Sequence, residues 1–102
     1  MADLQQLFQL GQQVQGRLQQ LQSELAERLI ETTAGAGLVR TAVDGRGVVR
    51  KLEIAPEAFA GRDAELLSDL VLSAIAEGQR RAAELATNEM QKVQPAPGFP
   101  SP

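Results

Sequence analysis

Several chemically active side chains are missing from this sequence. It contains no histidine, cysteine, tryptophan or tyrosine, and only three phenylalanines. The absence of cysteine excludes disulfides and thiolate metal sites and fits a reducing cytoplasm. Without histidine or cysteine, the chain also lacks the usual general base near neutral pH and the most reactive nucleophile. We therefore predict that the protein is not an enzyme, that it has no catalytic or metal-binding residues, and that it uses no cofactor.

Long apolar runs are missing too. No stretch of the sequence approaches the ~20 residues that a membrane-spanning helix needs. The first residues, Met1-Ala2-Asp3-Leu4, lack the basic segment and apolar stretch of a secretory signal. We expect a cytoplasmic protein that does not enter a membrane, and no small-molecule substrate is evident.

Excess positive charge is absent as well. The 102 residues carry ten lysines and arginines against thirteen aspartates and glutamates, a formal net charge of -3. This length corresponds to one domain with a modest core. A nucleic-acid-binding domain is usually basic, so the charge balance opposes bulk attraction to DNA and leaves only local basic patches for that role.

The N-terminal third of the chain has the pattern of a long amphipathic helix. Asp3 is a plausible N-cap, glutamines fill most polar positions, and apolar residues recur every seven positions in two rows. A helix of ~25 residues spans roughly 37 Å, which is longer than a small sheet can cover. The apolar rows therefore favour a homodimer interface, and the alternative is packing on the protein's own sheet. The predicted interface residues are Leu4, Leu7, Val14, Leu18, Leu21 and Leu25; the charged Arg28 should end the row.

Three strand-like runs follow, over residues 29–34, 38–43 and 48–54. The segment Asp44-Gly45-Arg46-Gly47 is a hairpin signal. Alternation places Val48, Leu52 and Ile54 on one face of the third run, with Val49, Lys51 and Glu53 on the other. Gly35-Ala36-Gly37 is interpreted as a turn, because no Gly-Lys-Ser/Thr and no helix follow it, as a phosphate-binding loop would require.

A second amphipathic helix is predicted after Pro56, with Asp63 as its N-cap and an end before Pro95. We expect Phe59, in the preceding connector, to close the edge of the core. The segment from residue 94 to residue 102 is rich in proline and is predicted to be a flexible tail.

The second helix carries an adjacent arginine pair, Arg80 and Arg81. Glu77 lies four residues before Arg81, and Glu84 lies four after Arg80, so both arginines can form ion pairs within the helix. Two interpretations stay open: a solvated helix surface, or a pair of guanidinium groups that contact phosphate.

The order of these motifs resembles the YbaB/EbfC family of bacterial nucleoid-associated proteins. The resemblance is carried by five segments in the order that the family shows: Gly35-Ala36-Gly37-Leu38-Val39, Ile54-Ala55-Pro56, Asp69-Leu70-Val71, Arg80-Arg81 and Pro97-Gly98-Phe99. It implies an α+β fold of order αβββα, in which two long helices flank a small antiparallel three-stranded meander. It also implies a tight homodimer and a nucleoid location. We expect residues 1–93 to form a single YbaB-like domain, followed by the tail at 94–102.

The resemblance further implies DNA binding with little sequence preference. The chain has no recognition-helix motif and no aromatic stacking platform, so we expect contacts mainly with phosphates. The candidate DNA-binding residues are Arg80, Arg81, Arg17 and Lys92, with Arg40, Arg46, Arg50 and Lys51 as a second choice. The alternative function is a dimeric adaptor that binds other proteins and makes no contact with nucleic acid, which the acidic balance and the glutamine-rich helix favour.

Overall fold

The computed structural model describes residues 3–93, so the predicted tail at 94–102 lies outside the described part of the chain. It confirms an α+β fold of order αβββα. The elements are α1 (Leu4–Glu27), β1 (Leu29–Ala34), β2 (Val39–Asp44), β3 (Val49–Ile54), a short 3-10 helix (Pro56–Phe59) and α2 (Ala64–Val93).

Both long helices begin where a capping residue predicts. The Asp3 carboxylate accepts a hydrogen bond from the backbone N–H of Gln5 at 3.4 Å, and Asp63 accepts one from the N–H of Leu66 at 3.0 Å. These bonds satisfy donors that have no partner inside a helix. Helix α1 ends at Glu27, one residue before Arg28, in agreement with the predicted end of the apolar rows.

The three strands form an antiparallel sheet in the order β1-β2-β3. The turn from β1 to β2 has positive φ at Gly35, Ala36 and Gly37, which confirms a turn in place of a phosphate loop. One detail of β3 was predicted wrongly. A register shift places Val49 opposite Val43 while Lys51 stays opposite Ala42, so Val49 shares a face with Leu52. The cause is a β-bulge, which breaks simple alternation.

The core lies between α2 and the inner face of β1 and β2. Helix α2 comes very close to β2 at Gly78, since a Cβ added there would lie 2.6 Å from Cγ2 of Val43. Beside it, the Thr32 and Thr41 hydroxyls hydrogen-bond each other at 2.8 Å, and Thr32 donates to the carbonyl of Ala74 at 2.6 Å. These bonds satisfy the buried hydroxyl groups, which would otherwise be costly to bury.

The expectation that Phe59 closes the core edge is wrong. Its side chain is exposed on the short 3-10 helix Pro56–Phe59. That helix follows directly after β3, and α2 packs over β1 and β2. The ring therefore finds no apolar cover within the described part of the protomer.

The protomer is elongated, with extents of 71 × 30 × 16 Å and a radius of gyration of 20.1 Å. A compact domain of similar length has a radius of gyration of about 13 Å. Within α1, only Leu21 and Leu25 are buried, so the first half of this helix extends away from the core.

Candidate nucleic-acid interface

Two of the predicted basic residues, which are far apart in sequence, come together in the structure. Arg17 on α1 and Lys92 in the last turn of α2 line one cleft, together with Gln20, Leu21, Glu24 and Glu89. The Lys92 ammonium is 3.2 Å from a carboxylate oxygen of Glu89, one turn earlier on α2. The cleft therefore presents two cations among acidic neighbours.

Arg80 and Arg81 lie on the exposed side of α2 and are held by carboxylates of the same helix. Arg80 donates to both oxygens of Glu77, at 3.0 and 2.7 Å, and to Glu84 at 2.5 Å. Arg81 donates to Glu77 at 3.0 Å. The hydrogen bonds from Arg80, followed by those from Arg81, lower the pKa of Glu77 to about 2.

These ion pairs leave donors free. A guanidinium has five N–H groups. Arg80 forms three hydrogen bonds to carboxylates, and Arg81 forms one. The remaining N–H groups form no hydrogen bond within residues 3–93, and N–H groups of this type can donate to a phosphate. The four side chains Arg80, Arg81, Glu77 and Glu84 nevertheless sum to zero charge, so their attraction for a distant anion is weak.

Helix geometry relates the arginine pair to the cleft. Positions eleven residues apart complete about three turns of an α-helix, so Arg81 and Lys92 face nearly the same direction about 16 Å apart. Arg80 is turned about 100° from that direction. On α2, Arg81 therefore lies closer to the side that carries Lys92 than Arg80 does.

The second-choice basic residues lie on the sheet and the hairpin. Lys51 is 2.7 Å from Glu53 on the outer face of β3, and Arg50 donates to Asp44 at 2.9 Å. Arg40 lies opposite Glu53 in the sheet, and Arg46 is exposed in the hairpin turn. Lys51 and Arg40 therefore lie beside Glu53, and Arg50 is held by the buried Asp44.

Sequence reasoning did not anticipate the role of Asp44. Its carboxylate is fully buried and accepts hydrogen bonds from the backbone N–H groups of Arg46 (2.8 Å) and Val48 (3.1 Å), besides Arg50. Burial raises the pKa of Asp44, but the hydrogen bonds from Val48, Arg46 and Arg50 outweigh it, and the net pKa is lowered. The available signal was an Asp at the start of a turn, a residue type that commonly bonds the backbone two residues on.

The apolar rows of α1 divide into two parts. Leu21 and Leu25 are 4% and 3% exposed, so they belong to the protomer's own core. Val14 and Leu18 are half-buried, whereas Leu4 and Leu7 are 71% and 54% exposed. Phe8 and Leu10, which were not among the predicted interface residues, are exposed beside them. Within α1, the part without cover from the protomer is therefore the N-terminal half.

Two further observations concern residues 3–93. None of the helices in this part of the chain has the length and apolar character that a membrane span requires. No group of three or more histidine, cysteine, aspartate or glutamate side chains is arranged there to hold a metal ion.

Comparison with known proteins identifies the family. The sequence profile of the YbaB/EbfC DNA-binding family matches residues 1–97. A nucleoid-associated protein of Chloroflexus aurantiacus is 40% identical over 88 residues, which cover 86% of this chain and 88% of that protein. A nucleoid-associated protein of Cutibacterium acnes is 48% identical over 84 residues, which cover 80% and 78% of the two chains.

A solved structure has the same fold. The crystal structure of an uncharacterized protein from Helicobacter pylori superposes with a TM-score of 0.82 at 22% sequence identity, covering 90% of this chain and 97% of that one. At this identity the likeness shows the fold alone. The profile match and the two relatives show more: this chain belongs to the YbaB/EbfC DNA-binding family.

Proposed function

We propose that this protein binds DNA as a homodimer, as a nucleoid-associated protein of the cytoplasm, through phosphate contacts with little sequence preference. The observation that carries the proposal is the meeting of Arg17 and Lys92 in one cleft, with Arg81 on the same side of α2. The names of the relatives support the nucleoid assignment.

The side chains available at this surface favour phosphate over bases. Arginine and lysine bind phosphate through charge and hydrogen bonds, whereas base readout needs an element that enters a groove or aromatic rings that stack. The chain has no tyrosine or tryptophan, and none of its arginines or lysines is part of a recognised DNA-reading motif. Binding should therefore depend strongly on salt and weakly on sequence.

The homodimer part of the proposal depends on the exposed end of α1. Leu4 and Leu7, with half-buried Val14 and Leu18, form the proposed contact with a second copy. Leu21 and Leu25 support that contact indirectly, because they fix α1 to the core. Burying each exposed leucine would contribute ~1.5–3 kcal/mol before the cost of association.

A salt titration of DNA binding tests the proposal. The double variant Arg80→Glu, Arg81→Glu should bind more weakly and flatten the slope of log affinity against log salt by about one unit for each lost phosphate contact. A control for charge reversal outside the proposed interface is Arg62→Glu, which reverses one exposed arginine in the connector before α2 and should be compared with the single variant Arg81→Glu. A double variant with an unchanged slope would remove Arg80 and Arg81 from the interface.

The Arg17→Glu, Lys92→Glu variant applies the same test to the cleft. It should also bind more weakly and flatten the salt slope, although Lys92 is paired with Glu89 in the same way that Arg80 and Arg81 are paired with Glu77 and Glu84. If neither variant changes binding, the phosphate contacts lie elsewhere.

One observation favours a second function, that of a protein-binding adaptor. Arg80 and Arg81 form ion pairs with Glu77 and Glu84 of the same helix, and these carboxylates neutralise their charge. A wild-type protein that fails to shift DNA at low salt, but retains protein partners after nuclease treatment, would select the adaptor and reject DNA binding.

A further inference from the structure

The half of α1 that extends beyond the core carries an open apolar groove, which we call the α1 groove. Its lining residues are Leu4, Leu7, Phe8, Gly11, Gln12 and Gln15. Leu4 and Phe8 are 71% and 72% exposed, and Gly11 leaves a notch, since a Cβ added there would meet nothing within 4 Å. Contiguous exposed apolar side chains of this kind are typical of a binding surface.

The α1 groove begins where α2 ends. Lys92, in the last turn of α2, lines the same cleft as Arg17. Nearer the sheet, Leu25 of α1 lines a second cleft together with Ala86 of α2. The two helices therefore run antiparallel, and the chain leaves the last turn of α2 beside Gln15, at the near end of the groove.

We propose that the C-terminal segment of the same chain, residues 94–102, binds in the α1 groove, with the Phe99 ring against Phe8 in the notch left by Gly11. The segment lies outside the described residues. Its place in the groove is argued from its length, its composition and the position at which α2 ends. The proposal goes beyond the proposed function, because it depends neither on DNA binding nor on a homodimer.

The segment is long enough for this contact. Phe99 is six residues beyond Val93, and six residues of extended chain span about 20 Å. The cleft contacts place Val93 about level with Gly16, so Phe8 lies eight residues, or ~12 Å, further along α1. Packed helices are separated by about 8–10 Å. The combined distance is about 15 Å, which Phe99 can cover without displacing either helix.

The composition of the segment suits an apolar groove that is bordered by amides. It contains four prolines, one aromatic side chain and no charged side chain, so no charged side chain has to lose its hydration on binding. Prolines restrict the unbound chain, and proline-rich segments commonly bind grooves that contain aromatic rings. Proline has no N–H, so the segment offers more backbone acceptors than donors, and the side-chain amides of Gln12 and Gln15 can donate to them.

Covalent attachment favours the chain's own segment over a free partner. A tether of a few residues holds Phe99 near the groove at an effective concentration of about a millimolar, well above the concentration of a second copy in a dilute solution. The contact also leaves the proposed dimer contact accessible. Phe8 is turned by about 80–120° round α1 from Val14 and Leu18, so the ring and a second copy use neighbouring sides of the helix.

An introduced tryptophan tests the contact. The chain has neither tryptophan nor tyrosine, so Phe99→Trp gives the full-length protein a single strong fluorophore. Its emission should lie at a shorter wavelength than in the same variant unfolded in urea, and acrylamide should quench it several-fold less. Equal emission and equal quenching in the folded and unfolded protein would overturn the proposal.

Filling the notch tests the position of the ring. Gly11→Gln, added to the Phe99→Trp variant, fills the notch, and glutamine is a better helix former than glycine. The matched control is Gly16→Gln, which adds the same side chain to α1 outside the groove, where a Cβ also meets nothing within 4 Å. Gly11→Gln should move the emission to a longer wavelength, and Gly16→Gln should leave it unchanged. If both variants, or neither, move the emission, the ring does not lie in the α1 groove.

Fluorine NMR repeats the test with a ring of nearly native size. Incorporation of para-fluorophenylalanine labels the three phenylalanines, and Phe99→Leu assigns one of the three signals. Gly11→Gln should move the Phe99 signal towards its position in the unfolded chain, whereas Gly16→Gln should not. A Phe99 signal that already lies at the unfolded position without either glutamine substitution would overturn the proposal, whatever the tryptophan variant shows.

Mixing two variants distinguishes the chain's own groove from that of a second copy. The Phe99→Trp protein is equilibrated with an excess of Gly11→Gln protein, whose groove is filled. The emission should stay unchanged, because each tryptophan-bearing segment keeps its own groove. A shift to longer wavelength would show that the segment binds a second copy, and would overturn the proposal. None of these measurements involves DNA, so the proposed function and this contact can fail separately.

Discussion

At the residue scale, Asp44 shows how one side chain fixes a turn. Its buried carboxylate holds the N–H groups of Arg46 and Val48 and the side chain of Arg50, while the adjacent Gly45 N–H donates to the carbonyl of Leu25 at 2.8 Å. The end of α1 and the β2–β3 turn are therefore joined at this point. The turn could be predicted from Asp-Gly, but the burial of Asp44 could not, because burial depends on how α1 returns to the sheet.

The candidate site was predictable only in part for a similar reason. Arg80 and Arg81 could be paired with Glu77 and Glu84 from helical spacing alone, and the structure forms those ion pairs. The proximity of Arg17 to Lys92 depends on how α1 and α2 pack, which no local pattern encodes.

The ion pairs of Glu77 predict a pH dependence. Hydrogen bonds from Arg80 and Arg81 lower the pKa of Glu77 from 4.5 to about 2. A group whose pKa is lowered on folding stabilises the folded state above its unfolded pKa, and this contribution is lost as the pH falls through the folded value. Glu77→Gln should therefore unfold more easily than the wild type above pH 4.5, and the difference should vanish towards pH 2, as measured by urea unfolding.

The matched control for this experiment is Asp69→Asn, which neutralises another exposed carboxylate of α2 that forms no ion pair within residues 3–93. It should show little change with pH relative to the wild type. A constant stability difference between Glu77→Gln and the wild type across this pH range would show that the ion pairs do not contribute in solution.

At the element scale, the local signals were sufficient for the helices and the order of strands. Asp3 and Asp63 mark the helix starts, and Arg28 marks the end of α1, because capping and charge are local properties. The bulge that turns Val49 inward was not predictable, since it arises from the pairing of β3 with β2. The seven-residue repeat in α1 likewise does not distinguish leucines that face the protomer's own core from leucines that face outwards.

Helix α2 should be sensitive to a single methyl group at Gly78. Alanine is favoured over glycine in a helix by about 1 kcal/mol, but a Cβ at Gly78 would lie 2.6 Å from Val43 and 3.2 Å from the Thr32 hydroxyl. Overpacking of this kind costs about 1–3 kcal/mol. We expect Gly78→Ala to lower the free energy of unfolding by about 1 kcal/mol net, measured by denaturant unfolding at one protein concentration.

Gly16→Ala provides the opposite case in α1. A Cβ at Gly16 would meet nothing within 4 Å, so the substitution should stabilise the protein by about 1 kcal/mol. If both alanine variants were stabilised equally, the close approach of α2 to the sheet at Val43 would be refuted.

At the scale of the whole molecule, the exposed N-terminal half of α1 should govern self-association. Leu7→Glu introduces a charge among Leu4, Phe8 and Gly11, which line an open apolar groove on this helix. Burying that charge in the proposed contact is unfavourable, so the dimer dissociation constant should rise at least about tenfold. Sedimentation equilibrium at several protein concentrations measures it.

The control for self-association is Gln9→Glu, which adds the same charge at an exposed polar position of α1. Its dissociation constant should stay near that of the wild type. Equal weakening by both variants would indicate general charge repulsion, and an unchanged Leu7→Glu dimer would place the contact outside this part of α1.

The 71 Å length of the protomer has a practical bearing on every measurement of assembly state. A rod experiences more friction than a sphere of equal mass and leaves a gel-filtration column earlier. A single copy calibrated against globular standards would thus give an inflated mass that resembles a pair. Equilibrium sedimentation, light scattering or native mass spectrometry avoids this error, because each reports mass without assuming a shape.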